Sequence, residues 1–467
     1  MQRSICGCLA ASWVVAVVVG FGCGEGKSSA PARLPNLLVV TLDTVRADHL
    51  SAYGYARDTS PQLAKLAAEG VRFDLSFSAA STTLPSHVSL FTGVAPITHG
   101  VVKNGLHLDG GATTLAERLR AAGAQTAAIV SSFVLDRRFG LDRGFDHYED
   151  DFTKDGSSYQ ADTWRGFETG GAFDRRANLT TDRAIRWLDE QRDARRPFFL
   201  WVHYFDPHDP YVPPEPWKSR FARPANEAPS LLDTLTKRAA VDAYDGEIAF
   251  TDDEVGRLLA HLAARGLDRD TLVVVTSDHG EGLGQHGVIG HAVNVYEEAV
   301  HVPLVLRWPG RLAPGRVIAE PVESVDLVPT LLELLALPAT KDVRGRSLAG
   351  ALLRGEPLDP DHAVVTHRRP YDKPIDEGGI HVYGELFGVR RGSWKWIEGT
   401  LDGTRELYDL ATDPRESLNL AARQPERVAA FSREVAEFRA AHAGAAPAET
   451  RIDAGDRERL RALGYAE

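Results

Sequence analysis

Cysteine is nearly missing from this chain. The three that occur, Cys6, Cys8 and Cys23, all stand before the stretch that reads as a folded body. Everything after Cys23 therefore folds without disulfides, and no thiol there can act as a nucleophile. An excess of basic residues is also lacking. With 53 Lys and Arg against 65 Asp and Glu, the net charge is −12. That balance argues against a nucleic-acid or anionic-membrane partner held through a general basic surface. It leaves room for an anionic substrate, because a bound metal inverts the local field. Low-complexity bias and internal repeats are absent from the body, as in an ordinary globular protein. The apolar stretch Leu9 to Val19 is shorter than the ~20 residues that a membrane-spanning helix needs.

That stretch follows Arg3 and ends in small residues, the pattern of a secretory signal. Gly20-Phe21-Gly22-Cys23 then resembles a bacterial lipoprotein cleavage box, with Gly20 where leucine is usual. The resemblance implies a signal peptide over 1–23, a lipid on Cys23, and anchoring to a membrane of a bacterial cell envelope. A plain secretory peptide cleaved nearby, giving a periplasmic protein, is the alternative. Gly24 to Pro35 is rich in Gly, Ser, Ala and Pro and reads as a flexible tether over 24–35.

The body alternates strand-like and helix-like segments. Asn36–Thr41, Thr126–Val130, Phe198–His203, Thr271–Thr276 and His301–Trp308 are apolar runs typical of strands buried on both faces. Helical spacing marks Ser60–Glu69, with Ser60 as N-cap and Pro61 at the first position. It also marks Thr114–Ala122, Asn178–Asp193, Val325–Leu335 and Ala239–Arg265, the last with a break expected near Thr251. Such alternation predicts an α/β fold, a mixed and mostly parallel central sheet flanked by helices, over 36–358. After Leu358 come short strand-like runs at Ala363–Thr366, Leu386–Arg391, Trp394–Ile397 and Glu406–Asp409, then a helix over Pro425–Ala443. These predict a smaller antiparallel sheet plus helix over 359–445. Residues 446–467 form a tail, with a short helix expected over Asp456–Tyr465.

Three motifs stand in order along this pattern. The first is Thr83-Leu84-Pro85-Ser86-His87, leading into a short helix that ends in Thr92-Gly93. The second runs from Ser277-Asp278-His279-Gly280-Glu281 through His286-Gly287 to Tyr296-Glu297-Glu298. The third runs from Glu406-Leu407-Tyr408-Asp409-Leu410 through Asp413-Pro414 to Asn419-Leu420. Together they resemble the signatures of the sulfatase family, within the alkaline-phosphatase superfamily, and the resemblance covers roughly Leu37 to Leu420. In that family the first motif reads Cys/Ser-x-Pro-x-Arg, and its Cys or Ser is oxidised to formylglycine. Here Thr83 holds the nucleophile position and His87 the arginine position, and the resemblance implies a catalytic role for both. Oxidised threonine would be a ketone, so no formylglycine is expected. Thr-hydrophobic-Pro-x-His is instead the form that phosphodiesterases and pyrophosphatases of the superfamily use.

The resemblance implies a divalent metal held by Asp43, Thr83, Asp278 and His279. Each acidic residue lies just past a predicted strand, where ligands collect in open α/β sheets. Sulfatases usually carry a second aspartate after the first and an asparagine after the third. Thr44 and His279 stand there instead, which favours Zn or Mn over Ca. In isolation, Asp43 reads equally as a helix cap and Asp278-His279-Gly280 as a turn. Coordination to a dication would turn the Thr83 hydroxyl into a nucleophile; the alternative is that Thr83 merely caps a helix in a degenerate site.

Family resemblance adds His208 as a substrate-contacting histidine. It places His291 near the lysine that sulfatases use on the leaving oxygen, where a histidine serves as general acid or as a metal ligand. Asp206, His208 and His291 form a candidate second metal set. His203 reads as a packed or hydrogen-bonded strand-end residue. Asn104 resembles the asparagine that contacts a phosphoryl oxygen in threonine-nucleophile relatives, or is a turn residue. The Lys-x-His pair of sulfatases is replaced by Ser131-Ser132-Phe133. The expectation is a metal-dependent hydrolase of small-molecule, glycan or lipid-head esters, with phosphoester or phosphonate substrates favoured by threonine. A true sulfuric ester hydrolase and a non-catalytic binding protein are the alternatives.

Overall fold

The first strand, Asn36–Leu42, is buried at every position but its first. Its side chains alternate between two cores. Leu37 and Val39 join the cluster on one face of the sheet, Leu38 and Val40 the cluster on the other. A strand apolar on both faces must be covered on both, and each such buried Leu or Val contributes about 1.5–3 kcal/mol of transfer free energy. The computed structural model describes residues 34–152, 163–164, 167–168, 174–223, 238–377, 380–442, 453, 455–457 and 460. The leader with Cys23, most of the loop 151–173 and most of the tail lie outside those residues. Among the described residues, no helix is long and apolar enough to cross a membrane.

The main sheet runs in the order Arg316–Ile318, Val71–Phe77, His301–Arg307, Thr271–Ser277, Asn36–Leu42, Phe198–Tyr204, Gln125–Ile129, His147–Glu149, with Val322–Glu323 also on Val71–Phe77. Only His301–Arg307 runs antiparallel to its neighbours. The sheet is thus mixed and mostly parallel. Helices Thr83–Thr92, Leu115–Ala121 and Leu327–Leu334 supply residues to the first core, and Pro61–Ala68, Ala177–Arg186 and Arg238–Ala264 to the second.

Three local expectations are corrected. The helix Arg238–Ala264 runs unbroken through Thr251, with Thr251 buried inside the layer. Ser60 makes no capping bond to helix Pro61–Ala68. Asp252 does that from across the core, accepting from Gln62 N at 2.7 Å and Leu63 N at 2.9 Å. The Ser60 hydroxyl instead receives Ala52 N at 3.1 Å. Finally, the two short strands expected near 363 and 386 are the roots of a long hairpin, Val364–Glu377 and Ile380–Arg391. Charged and proline residues between Arg368 and Pro374 masked its period. Thr114 does cap its helix, through a reciprocal pair with Glu117.

The hairpin, Trp394–Gly399 and Arg405–Asp409 form a four-stranded antiparallel sheet. Helix Pro425–His442 covers it through Val428, Phe431 and Val435. This sheet grips the main body beside Thr83: His367 N donates to Ala79 O at 2.9 Å, and Thr366 Oγ1 to Ser78 O at 2.9 Å. From the tail, Leu460 is buried in the first core, and Asp456 pairs with Arg138.

Candidate active site

Sheet register builds the centre of the site. The strands Asn36–Leu42 and Thr271–Ser277 are parallel neighbours, with Leu42 opposite Ser277. The next residues, Asp43 and Asp278, therefore leave the sheet side by side. On the other flank Thr41 lies opposite His203. Thr44 then turns the chain with φ of 57°, a left-handed conformation that costs a β-branched residue about 1–3 kcal/mol. The turn is held by what it delivers: Thr44 N donates to Asp278 Oδ1 at 3.1 Å, and its hydroxyl to Pro207 O at 2.9 Å. Thr44 is thereby a tie rather than a ligand.

Asp43, Asp278 and His279 offer ligand atoms that all lie within 4.8 Å of one another, and all three are buried. Among the described residues no other such group occurs. Asp43 Oδ1 and Asp278 Oδ2 are buried without a hydrogen-bond partner. Unfilled buried carboxylate oxygens are costly unless a cation takes them. Burial, then the charge of Asp278, raises Asp43 well above the usual carboxylate range. Burial would raise Asp278 too, but the neighbouring His279, through its ring and its backbone N–H, holds it below that range. His279 donates Nδ1–H to Gly280 O at 2.9 Å, which turns Nε2 toward Thr83 Oγ1 at 3.1 Å. Two bare carboxylate oxygens clustered with an imidazole nitrogen, and a hydroxyl 3.1 Å from that nitrogen, fit a divalent cation.

Thr83 opens a ten-residue helix that is buried throughout. Its hydroxyl thus sits at the positive end of the helix dipole. His87, one turn on, points under Thr83. Trp201 Nε1 donates to Thr41 Oγ1 at 2.9 Å, Thr41 Oγ1 meets His87 Nε2 at 3.1 Å, and His87 Nδ1 reaches Thr83 O at 2.8 Å. Burial pushes His87 down to about 3, so it is neutral. With both ring nitrogens engaged, His87 supports the Thr83 turn, and a direct role in bond breaking does not fit its geometry.

Asn104 Oδ1 accepts Leu84 N at 2.8 Å. That bond sets the amide orientation and leaves Nδ2 as a buried donor without a partner. His203 accepts Ser131 N on Nδ1 at 3.3 Å and so donates Nε2–H to Asp43 Oδ2 at 3.2 Å, orienting that carboxylate. His291 lies beside His279, ring centroids 4.5 Å apart, and His208 beside His291 at 4.9 Å. Burial and the neighbouring His291 push His208 down to about 3.

The candidate second metal set is not assembled. Among the described residues only Asp43, Asp278 and His279 bring their ligand atoms within 4.8 Å of one another, and Arg176 Nη1 takes Asp206 Oδ1 at 3.1 Å while Asp206 Oδ2 is buried without a hydrogen-bond partner. The residue that motif reading passed over is Glu281. It is fully buried, and its Oε1 holds His291 Nδ1 at 3.2 Å. Its signal was present as the second acid of Asp278-His279-Gly280-Glu281. A cavity of about 680 Å³ between His49, His286 and Glu416 shares no residue with this cluster.

Comparison with known proteins fits this geometry. A sequence-family model described as Sulfatase matches residues 35–337. A second, described as N-sulphoglucosamine sulphohydrolase, C-terminal, matches residues 284–438. The chain is 25% identical to an N-acetylglucosamine-6-O-sulfatase of Bacteroides thetaiotaomicron, over 83% of each chain. It is 27% identical to a choline-sulfatase of Rhizobium meliloti, over 83% of this chain and 82% of that one. The solved phosphonate monoester hydrolase of Agrobacterium radiobacter superposes with a TM-score of 0.68 at 25% identity, covering 87% of this chain and 96% of the other.

Proposed function

The chain belongs to the sulfatase family, and from that premise we propose that it is a metal-dependent ester hydrolase with the unmodified Thr83 hydroxyl as nucleophile and phosphoesters or phosphonate esters as preferred substrates. The observation that carries this reading is Thr83 Oγ1 at a helix N-terminus, 3.1 Å from His279 Nε2 and beside two buried carboxylates. A divalent cation held by Asp43, Asp278, His279 and Thr83 would lower the hydroxyl pKa and offset negative charge on the ester oxygens. The nitrogen in that donor set favours Zn or Mn over Ca.

The chain's own groups supply the rest. Thr83 Oγ1, its proton lost to solvent, attacks phosphorus in line, forming one P–O bond as the bond to the leaving oxygen breaks. Asn104 Nδ2–H is the donor for a phosphoryl oxygen as charge develops. His291, steadied by Glu281, and His208 line the leaving-group side; His291, when protonated, gives the departing oxygen its proton, and neutral His208 contacts the substrate. Water then attacks the phosphothreonine from the opposite side and restores the hydroxyl. Formylglycine enzymes release sulfate by collapse of a hemiacetal, a route closed to threonine. Phosphorus accepts direct displacement readily, which supports phosphoryl chemistry.

A second reading, a true sulfuric ester hydrolase, is favoured by the relatives named for sulfatase activity. A screen of aryl sulfate, phosphate monoester, phosphodiester and phosphonate ester, each with Zn, Mn or Ca, separates the two. The proposal expects kcat/KM on a phosphodiester or phosphonate to exceed that on the sulfate by at least about tenfold, or 1.4 kcal/mol of transition-state binding. A preference for the sulfate of that size would give the second reading the place.

The leader supports an envelope location, with Cys23 as the lipidated residue. Cys23→Ser is expected to move the protein from the membrane to the soluble fraction, or to leave an uncleaved precursor. Wild-type protein that takes up no labelled fatty acid would end this part of the proposal.

A further inference from the structure

We infer that Arg176, Asp206 and Glu247 form a buried clamp that fixes the loop carrying His208, making Arg176 and Glu247 positioning residues for the reaction. The inference rests on the reading of His208 as a substrate-contacting group. The loop leaves the sheet after Tyr204 and carries His208 between Asp206 and Val212. Both ends are held by one ion cluster drawn from two other elements. Arg176 stands just before helix Ala177–Arg186, and Glu247 lies inside helix Arg238–Ala264.

At the near end, Arg176 Nη1 donates to Asp206 Oδ1 at 3.1 Å. The same nitrogen reaches Glu247 Oε1 at 3.1 Å and Oε2 at 3.2 Å. At the far end, Arg176 Nη2 donates to Val212 O, and Glu247 Oε1 accepts Val212 N at 2.8 Å. Between these anchors the loop is closed on itself: His208 N donates to Phe205 O at 2.9 Å, and Nδ1–H to Asp209 O at 2.6 Å. The His208 ring stacks on buried Phe205, centroids 4.5 Å apart.

Asp206 and Glu247 are almost wholly buried. Placing two carboxylates on one guanidinium where water is excluded is costly. Burial, and for Glu247 also the charge of Asp206, raises them, Glu247 to about 8 and Asp206 to about 6. Packing the loop against apolar side chains would be cheaper. What the cluster supplies is geometry, because a guanidinium fork gripping two backbone-linked points allows little movement. A displacement of ~1 Å at a catalytic group costs on the order of 10²-fold in rate.

The test is a double-mutant cycle on the full-length protein with its best ester substrate. Arg176→Lys keeps the charge and loses the fork. It is expected to lower kcat by on the order of 10²-fold while KM moves less. Glu247→Gln, which keeps an acceptor for Val212 N–H, should be milder. In a His208→Ala background Arg176→Lys should cost almost nothing further, because the two act through one group. Equal losses in both backgrounds, or no loss in the wild-type background, would overturn the clamp. If His208→Ala itself keeps wild-type turnover, the functional reading of His208 falls instead. The clamp is then judged by the His208 imidazole resonances. Arg176→Lys must shift them in a protein that still melts cooperatively, and unshifted resonances overturn it.

Discussion

Asp278→Ala is expected to give a folded protein that retains no divalent metal and turns over at least about 10²-fold more slowly than wild type. Asp278 makes two kinds of contact in one place. Its Oδ1 receives Thr44 N at 3.1 Å and His279 N at 2.8 Å, so it shapes both strand-end turns. Its Oδ2 is buried without a hydrogen-bond partner, as is Asp43 Oδ1. Losing one carboxylate of the four-ligand set leaves Asp43, His279 and Thr83 unable to close a cation site. Elemental analysis of purified variants reads the result, and full metal occupancy in both Asp278→Ala and Asp43→Ala would remove the site. The pH dependence carries a sign. Asp43 is raised above its ordinary value in the folded, metal-free chain. Its contribution to stability is therefore present below the unfolded carboxylate pKa and is lost as pH rises through the raised value. As pH climbs out of the carboxylate range, the melting temperature of the chelated protein should fall more than that of the metal-loaded protein. In Asp278→Ala this slope should flatten, since the neighbouring charge is gone.

Thr83→Ala is expected to abolish turnover by about 10²–10⁴-fold or more on whichever ester is processed best, with metal content reduced far less than in Asp278→Ala. Thr83 offers one of four ligand atoms, and the two carboxylates and His279 remain. Circular dichroism should be unchanged, because alanine is a good helix former and the backbone bond from Ser86 N to Thr82 O, 3.1 Å, is retained. A Thr83→Ala protein with wild-type turnover would make a water molecule the nucleophile.

The parts of this site that were legible in the sequence share one property. Asp43 and Asp278 each end a continuous apolar run, and Thr83 begins a helix with Pro85 in its first turn. Strand ends and helix starts are local signals, so their chemistry could be placed before any fold was known. The in-register pairing of Leu42 with Ser277 then brings the two carboxylates together without further instruction. What stayed hidden depends on distance along the chain. Asp252 caps a helix that begins 191 positions earlier, at Pro61, and nothing near Ser60 announces it. Arg176, Asp206 and Glu247 meet only because two helices pack on the same sheet face. Asp206 consequently looked like a metal ligand, although one of its oxygens is already bonded to Arg176. His87 looked like a participant because it fills the family's arginine position. Its bonds to Thr41 and to the Thr83 carbonyl follow from helix geometry, which returns residue i+4 beneath residue i. The long hairpin from Val364 was obscured because its solvent-facing and proline-bearing residues break the two-residue period.

The central claim is that Thr83 attacks directly, as a threonine. Its most direct test is peptide mass spectrometry of the metal-loaded protein, quenched during turnover of a slow phosphodiester or phosphonate ester. The account predicts an unmodified threonine at position 83 before substrate is added, and during turnover a fraction of that same peptide carrying the mass of one phosphoryl or phosphonyl group on Thr83. A Thr83 peptide that never gains this mass, while product accumulates and an adduct forms on another residue, would contradict it.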